Sequence, residues 1–226
     1  MNVTTFINRP LPKHCESLGI PLEVVTLKHD ESGWWVGDMA FKRPEPAILQ
    51  IYKNESWHGT YVEGSPVIMT IKCAAFDWLV KHNLFQTRLD AIRDAPMGAI
   101  MRHPDKVEEF LAEIQACSER LFLKNFIEIY ADDIVKSLHP YLNPPHMAAL
   151  FRALGPKLTQ IARIWATRPY DLRVGWPDLC LVKESEVQFV EVKTTDNIHQ
   201  SQHDVITTVL NPLNLSMKVV KVVKQC

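Results

Sequence analysis

The sequence predicts an α/β fold, a mixed sheet flanked by helices, with a helical insertion and a β-rich N-terminal extension. Three observations predict it. Short runs rich in β-branched and aromatic residues crowd the N-terminal quarter, apolar residues recur at helical spacing through the middle, and two strand-like runs followed by a helix and a last strand close the chain. The implied division is a β-rich region over 1–56 and an α/β domain over 57–226, with the helical insertion at about 85–150.

In order, Pro21–Leu27, Trp34–Phe41 and Ala47–Tyr52 read as strands separated by turn-forming Asp, Glu, Ser, Gly, Arg and Pro residues. Glu63-Gly64 then precedes Ser65–Leu84, where Ile68, Ile71, Ala75, Trp78 and Leu79 keep helical spacing and Ser65-Pro66 supplies an N-cap and a first-turn proline. Pro104–Ser137 reads as one or two amphipathic helices, and Pro145–Thr167 as another interrupted at Gly155-Pro156. After Gly175 the pattern changes. Asp178–Val182 and Val187–Val192 form a hairpin with its turn at Lys183–Glu186, Asn197–Leu210 is a helix, and Met217–Val223 is a final strand.

At 226 residues, with 46% hydrophobic and 23% charged residues, the composition is that of a globular protein with a sizeable core. No apolar run approaches the roughly 20 residues of a membrane span, and Met1–Pro12 lacks a signal-peptide pattern, so an intracellular protein is expected, cytoplasmic if bacterial or phage-encoded. The five cysteines (Cys15, Cys73, Cys117, Cys180, Cys226) are scattered without metal-site or disulfide spacing and read as reduced and structural. The net charge of −1 hides a segregation. Residues 152–173 hold five bases (Arg152, Lys157, Arg163, Arg168, Arg173) against Asp171, whereas 105–133 hold eight acids against three bases. The basic stretch is either a phosphate-binding face or an ordinary solvated helix face.

The chemistry concentrates in Gly175-Trp-Pro-Asp178-Leu, followed thirteen positions after Asp178 by Glu191-Val-Lys193. Alternate strand residues share a face, so Glu191 and Lys193 point together while Val190 and Val192 enter the core, and hairpin pairing can bring Asp178 beside them. Two carboxylates on one patch repel unless one is protonated or a cation lies between them. A hard cation such as Mg²⁺ or Mn²⁺ suits oxygen ligands. An isolated Glu-x-Lys in a strand is more often an exposed cross-strand ion pair; here the Pro-Asp before the hairpin and the polar helix start after it set the pattern apart.

This pattern resembles that of the PD-(D/E)xK nucleases and, more narrowly, the VRR-NUC family, whose Gly-x-Pro-Asp-Leu, Glu-Val-Lys, Asp and helix Gln are matched by Gly175, Pro177, Asp178, Leu179, Glu191, Val192, Lys193, Asp196 and Gln202. Upstream, Tyr61-Val-Glu63-Gly64-Ser65 ending in Phe76-Asp-Trp78 is similar to the segment of the Fanconi-associated nucleases in which a glutamate joins the metal site, and Glu63 lies 115 positions before Asp178. The resemblance covers roughly 57–224 and is densest over 173–206. It implies a PD-(D/E)xK restriction-endonuclease-like core and a DNA nuclease dependent on Mg²⁺ or Mn²⁺, acting on flap or branched DNA in repair or recombination. It further implies Glu63, Asp178, Glu191, Lys193 and Gln202 as catalytic residues and Glu63, Asp178, Glu191 and the Val192 backbone carbonyl as metal ligands. Short members of the family are often homodimers. Glu63 also reads as a helix N-terminal glutamate favoured by the dipole.

Thr194-Thr195 stands where the family has Gly-Pro, and His199 where it has a capping serine. No segment here resembles the DNA-binding and helical-repeat domains of the Fanconi-associated enzymes, so flap preference and 5′-phosphate recognition do not carry over from the motif. Two rivals follow from the same residues: a restriction-type endonuclease that reads a short sequence, and a non-catalytic DNA-binding module on the same fold. Arg168 and Arg173 are candidate DNA-phosphate contacts or plain surface charges. Trp165, Tyr170 and Trp176 are either base-stacking residues or core. His199 and His203, at i and i+4, lack the acidic neighbour of a zinc-hydrolase helix, since Gln200 follows His199.

Overall fold

The computed structural model describes residues 9–225; the first eight residues of the expected N-terminal region, and Cys226, lie outside them. The chain divides into two compact units, one formed up to Glu63 and again from Val174 onward, the other by Gly64–Arg173. In chain order the elements are α1 (Leu11–Leu18), β1 (Leu22–Leu27), β2 (His29–Asp30), β3 (Gly33–Val36), β4 (Met39–Phe41), α2 (Pro44–Asn54) and β5 (His58–Thr60). Helices α3 (Ser65–Ala74), α4 (Phe76–His82), α5 (Arg88–Arg93), α6 (Pro96–Arg102), α7 (Val107–Ala116), α8 (Glu119–Tyr130), α9 (Asp133–Leu138), α10 (Pro144–Leu154) and α11 (Lys157–Thr167) follow. The chain closes with β6 (Leu179–Lys183), β7 (Glu186–Lys193), α12 (Gln200–Val205), a π-helical turn at Ile206–Leu210 and β8 (Ser216–Lys224).

The first unit is built on a five-stranded sheet in the order β1-β8-β7-β6-β5. β1 and β7 run parallel to β8, whereas β6 pairs antiparallel with both β7 and β5, so the sheet is mixed. Strand alternation sorts the side chains by face. Leu179 and Leu181, Val190 and Val192, and Val220 and Val222 pack in one core cluster with Ala47, Ile48, Leu49 and Tyr52 of α2 and with Trp34. Glu191 and Lys193 take the opposite face, where α12 and the π-helical turn bury Val205, Ile206, Val209 and Leu210. The expected hairpin of Asp178–Val182 with Val187–Val192 is present as β6–β7, and the last strand as β8.

The N-terminal quarter departs from expectation. Ala47–Tyr52, expected as a strand, is helical: Pro44 and Pro46 carry a helix-compatible φ where the missing N–H groups have no partner to lose, and Ala47, Ile48, Ile51 and Tyr52 line one side. Its β-branched and aromatic content gave the wrong period. Leu11–Leu18 is a further helix, entered at Pro10 and stopped by Gly19 in the left-handed region. Trp34–Phe41 is not one strand but a hairpin, turned at Gly37 with φ +56°.

The second unit is helical, as expected for the middle of the chain. The helix foreseen over Ser65–Leu84 breaks at Ala75. Two side chains capture the main-chain groups that would continue it: Asn125 Nδ2 donates to the Cys73 carbonyl at 2.9 Å, and Glu113 Oε1 accepts from the Trp78 N–H at 2.7 Å. Gly64, in the left-handed region, is the N-cap in place of Ser65, whose hydroxyl lies 3.1 Å from His139 Nδ1. The basic face expected over 152–173 is partly neutralised, because Arg152 pairs with Glu119 and Arg163 with Glu108. Charges separated along the sequence are brought together by the packing of α10 on α8 and of α11 on α7. Trp165 is core at 1% exposure.

Cys15, Cys73, Cys117 and Cys180 are free thiols, and burial raises each of them, Cys180 to about 12 and the half-buried Cys117 to about 11, which disfavours the thiolate. No helix among the described residues is long and apolar enough to cross a membrane. The helical assignment of 44–54 is checked by Ile48→Ala. Ile48 is 1% exposed, so the substitution is expected to cost about 2–5 kcal/mol in denaturant unfolding, and a loss below about 1 kcal/mol places that side chain outside the core.

Candidate active site

β7 carries Glu191 and Lys193 two residues apart, hence on one face, at its C-terminal end. Leu179 of β6 pairs with Val190, so the next antiparallel step sets Asp178 opposite Glu191 on that face. The Asp178 carboxylate caps the strand end by accepting from the Val192 N–H at 2.9 Å. Pro177, which has no N–H to contribute to a ladder, ends the pairing there. The two carboxylates and the lysine line one cleft of about 240 Å³ with Glu45, Asp196 and Gln202. That volume accommodates a phosphate group and several waters, at about 30 Å³ per water.

The centre is a buried, hydrogen-bonded ion pair. Glu191 and Lys193 are each 2% exposed, with Lys193 Nζ 3.0 Å from Glu191 Oε1. Gln202, projecting from α12, donates from Nε2 to the same Glu191 oxygen at 2.6 Å and accepts through Oε1 from Lys193 Nζ at 3.1 Å and from the His199 N–H at 2.9 Å. One amide thus ties the acid, the base and the helix N-terminus together. Lys193 also donates to Asp196 Oδ2 at 3.1 Å. Glu191 Oε2, by contrast, is buried without an N–H donor, and the Asp178 carboxyl is its neighbour.

Titration behaviour follows from this geometry. Burial, reinforced by the neighbouring Asp178, raises Glu191 to about 8 against the pull of Lys193 and Gln202. Burial likewise raises Asp178, with Glu45 adding to the effect and the Val192 N–H opposing it. For Lys193 burial acts downward but is outweighed by Glu191 and Asp196, so the ammonium is retained; Asp196 is held below its usual range because the Lys193 bond outweighs its own burial. Two carboxyls raised by burial and by each other form a site short of positive charge, and their oxygens fit a hard divalent cation that would take the place of their protons. Asp178, Glu191 and the Val192 carbonyl are the groups that would hold it.

The structure brings together Asp178, Glu191, Lys193 and Gln202. It does not add Glu63 to them: Glu63 Oε1 accepts from the Gly175 N–H at 2.6 Å, and no cluster of three or more His, Cys, Asp or Glu at metal-holding separation occurs among the described residues. Gly175 has φ +86°, and a Cβ there would lie 2.2 Å from the Ser201 carbonyl oxygen, so only glycine lets the segment before Asp178 pass so close to α12. His199 is exposed beside Asp196, its Nε2 3.2 Å from Oδ2, and His203 lies against Asp204, so the two rings do not form a site. Trp176 is core at 1% exposure. Arg168 and Arg173 are exposed in the second unit, where the Arg173 guanidinium stacks 3.6 Å from the ring centroid of the exposed Tyr170. Sequence reasoning missed Glu45 in the cleft. Its signal was an acidic residue between two prolines, which marks the first turn of a helix.

No protein-family model matches the chain, and no curated protein matches it at a significant level. The architecture is a five-stranded mixed sheet flanked by helices. Among solved structures it is similar to paFAN1 bound to 5′ flap DNA with a 2-nucleotide flap and a gap, with a TM-score of 0.56 and 16% identity over 95% of this chain and 41% of that one. The complex with a 1-nucleotide flap gives a TM-score of 0.47 and 14% identity over 95% and 42%. By the first of these likenesses the chain has a paFAN1-like fold, and it spans about two fifths of that chain.

Two measurements test the site. Glu191 is raised from its ordinary 4.5 to about 8, so its contribution to stability is complete below the lower value and is lost as pH rises through the upper one. The melting temperature of protein held in chelator should fall across that window, and Glu191→Gln should flatten the fall and melt higher than wild type above it; parallel curves mean that Glu191 is not buried as described. Gly175→Ala should cost about 1–3 kcal/mol and loosen α12; unchanged thermal stability contradicts the close approach.

Proposed function

We propose that the chain is a divalent-metal-dependent DNA nuclease acting on flap or branched DNA, in repair or recombination. The observation that carries this reading is the buried Glu191–Lys193–Gln202 network, whose second Glu191 oxygen meets no N–H donor and lies beside the Asp178 carboxyl. The fold likeness to paFAN1, solved on flap DNA, supports the substrate class.

A bound Mg²⁺ or Mn²⁺ would supply Lewis-acid polarisation of a phosphoryl oxygen and a more acidic water. The protein's part is electrostatic and positional. Lys193, kept charged and fixed by three acceptors, presents an ammonium beside the reacting phosphate, where it orients a water and offsets the negative charge that grows as water attacks phosphorus and one P–O ester bond breaks. Asp178, Glu191 and the Val192 carbonyl would hold the cation and Gln202 keeps the Glu191 and Lys193 rotamers in place; Glu63, which holds the Gly175 N–H in the free protein, would be the third carboxylate. Arg168 and Arg173 contact phosphates away from the reacting one.

End-labelled flap, four-way-junction and plain duplex oligonucleotides, each with Mg²⁺, Mn²⁺ or chelator, form the test. Cleavage is expected only with metal, and faster on flap or junction than on random duplex. Asp178→Asn and Lys193→Met are each expected to reduce it by at least about 100-fold while leaving the fold intact by circular dichroism. Equal cleavage by Asp178→Asn rules out this chemistry, and a fixed-sequence product pattern on duplex assigns the chain to the restriction type instead.

A further inference from the structure

Glu45 lines the cleft, yet both its oxygens are occupied from outside. Arg43 donates from Nε to Oε2 at 3.1 Å and from Nη2 to Oε1 at 3.0 Å, a forked pair in which the arginine side chain is 65% exposed and the glutamate 16%. The Arg43 guanidinium also feels Asp178 electrostatically, so it stands at the rim of the same cleft. It is a cation facing solvent next to a niche of carboxylates.

A phosphodiester entering that niche meets acids first. Lys193, the cleft's other cation, is 3% exposed on its side chain and committed to Glu191, Asp196 and Gln202, so it does not reach outward for phosphates beside the reacting one. Nor does the first turn of α2 serve, because Pro44 and Pro46 lack N–H groups there. The planar fork of arginine that matches a carboxylate matches a phosphate equally well, and an exposed ion pair is weak enough to exchange.

We propose that Arg43 is a two-position latch: it closes Glu45 in the free protein and moves to a DNA backbone phosphate when substrate binds, which turns the Glu45 carboxylate towards the cation niche. The inference rests on the nuclease reading and deepens it, since substrate binding then completes the acidic site. Free protein has Glu45 closed, so cation affinity and DNA affinity are coupled through one side chain.

The test compares wild type with Arg43→Gln, which removes the charge and the two-pronged hold on Glu45 while keeping a polar side chain, and with Arg43→Lys, which keeps the charge. Binding of a fluorescein-labelled 5′-flap duplex is followed by anisotropy in chelator, so that no cleavage intervenes, from about 50 to 200 mM KCl. Arg43→Gln is expected to weaken binding about tenfold and to make the slope of log affinity against log salt shallower by about 1, whereas Arg43→Lys keeps the slope. Calorimetric titration of the DNA-free protein with Mn²⁺ is expected to show tighter binding for Arg43→Gln, because Glu45 is released. An unchanged salt slope overturns the latch, and so does equal Mn²⁺ affinity in the two proteins. Wild type that cleaves flaps while Arg43→Gln binds them with an unaltered slope removes this inference and leaves the nuclease reading standing. Wild type that binds with the predicted slopes but cleaves nothing in any metal does the reverse.

Discussion

A carboxylate and an ammonium buried side by side, almost out of reach of water, set the terms for everything around them. Desolvating two charges is costly, and their attraction repays the cost only when the remaining lone pairs and protons are satisfied. Lys193 is satisfied completely, by Glu191, Asp196 and Gln202. Glu191 is satisfied by nitrogen donors on one oxygen only, and its other oxygen meets none. That asymmetry sets Asp178 against Glu191 in the cleft, and it is the feature on which the proposed cation site rests.

From that pair the local architecture can be traced outward. Gln202 can reach both partners only if α12 begins at the end of β7, and α12 can sit there only if the segment before Asp178 runs beneath Ser201 without a side chain, which is what Gly175 allows. The N–H of that same glycine is held by Glu63. A glycine, a glutamine and a lysine far apart in the sequence are therefore one mechanical unit, in which a shift of any member displaces the others.

The hairpin, the last strand and the central acidic pair were legible in the sequence because a period-two pattern with a polar pair in a hydrophobic frame has few ways to fold. The partnership of Gln202 with Glu191 and Lys193 was visible only through likeness to a known motif, since nothing in the spacing from 193 to 202 requires the contact. Helix α2 was not legible: Ala47–Tyr52 is rich in residues that favour strands, and the prolines that start the helix also serve as turn signals. Misreading it hid Glu45 and Arg43, whose roles depend on which end of α2 faces the cleft. The charge segregation was real along the chain and misleading in space, because tertiary packing set Glu119 against Arg152 and Glu108 against Arg163.

The first unit is drawn from both ends of the chain, with 64–173 in between. A ribosome therefore releases Arg43, Glu45 and Glu63 long before Asp178, Glu191 and Lys193 exist, and the β8 strand that seats β1 in the sheet emerges later still. Nascent or prematurely terminated products hold β1 and α2 without their partners, an unpaired edge and an uncovered apolar face. They also lack Asp178, Glu191 and Lys193, so the buried pair and its cleft form only once the segments on either side of 64–173 have met.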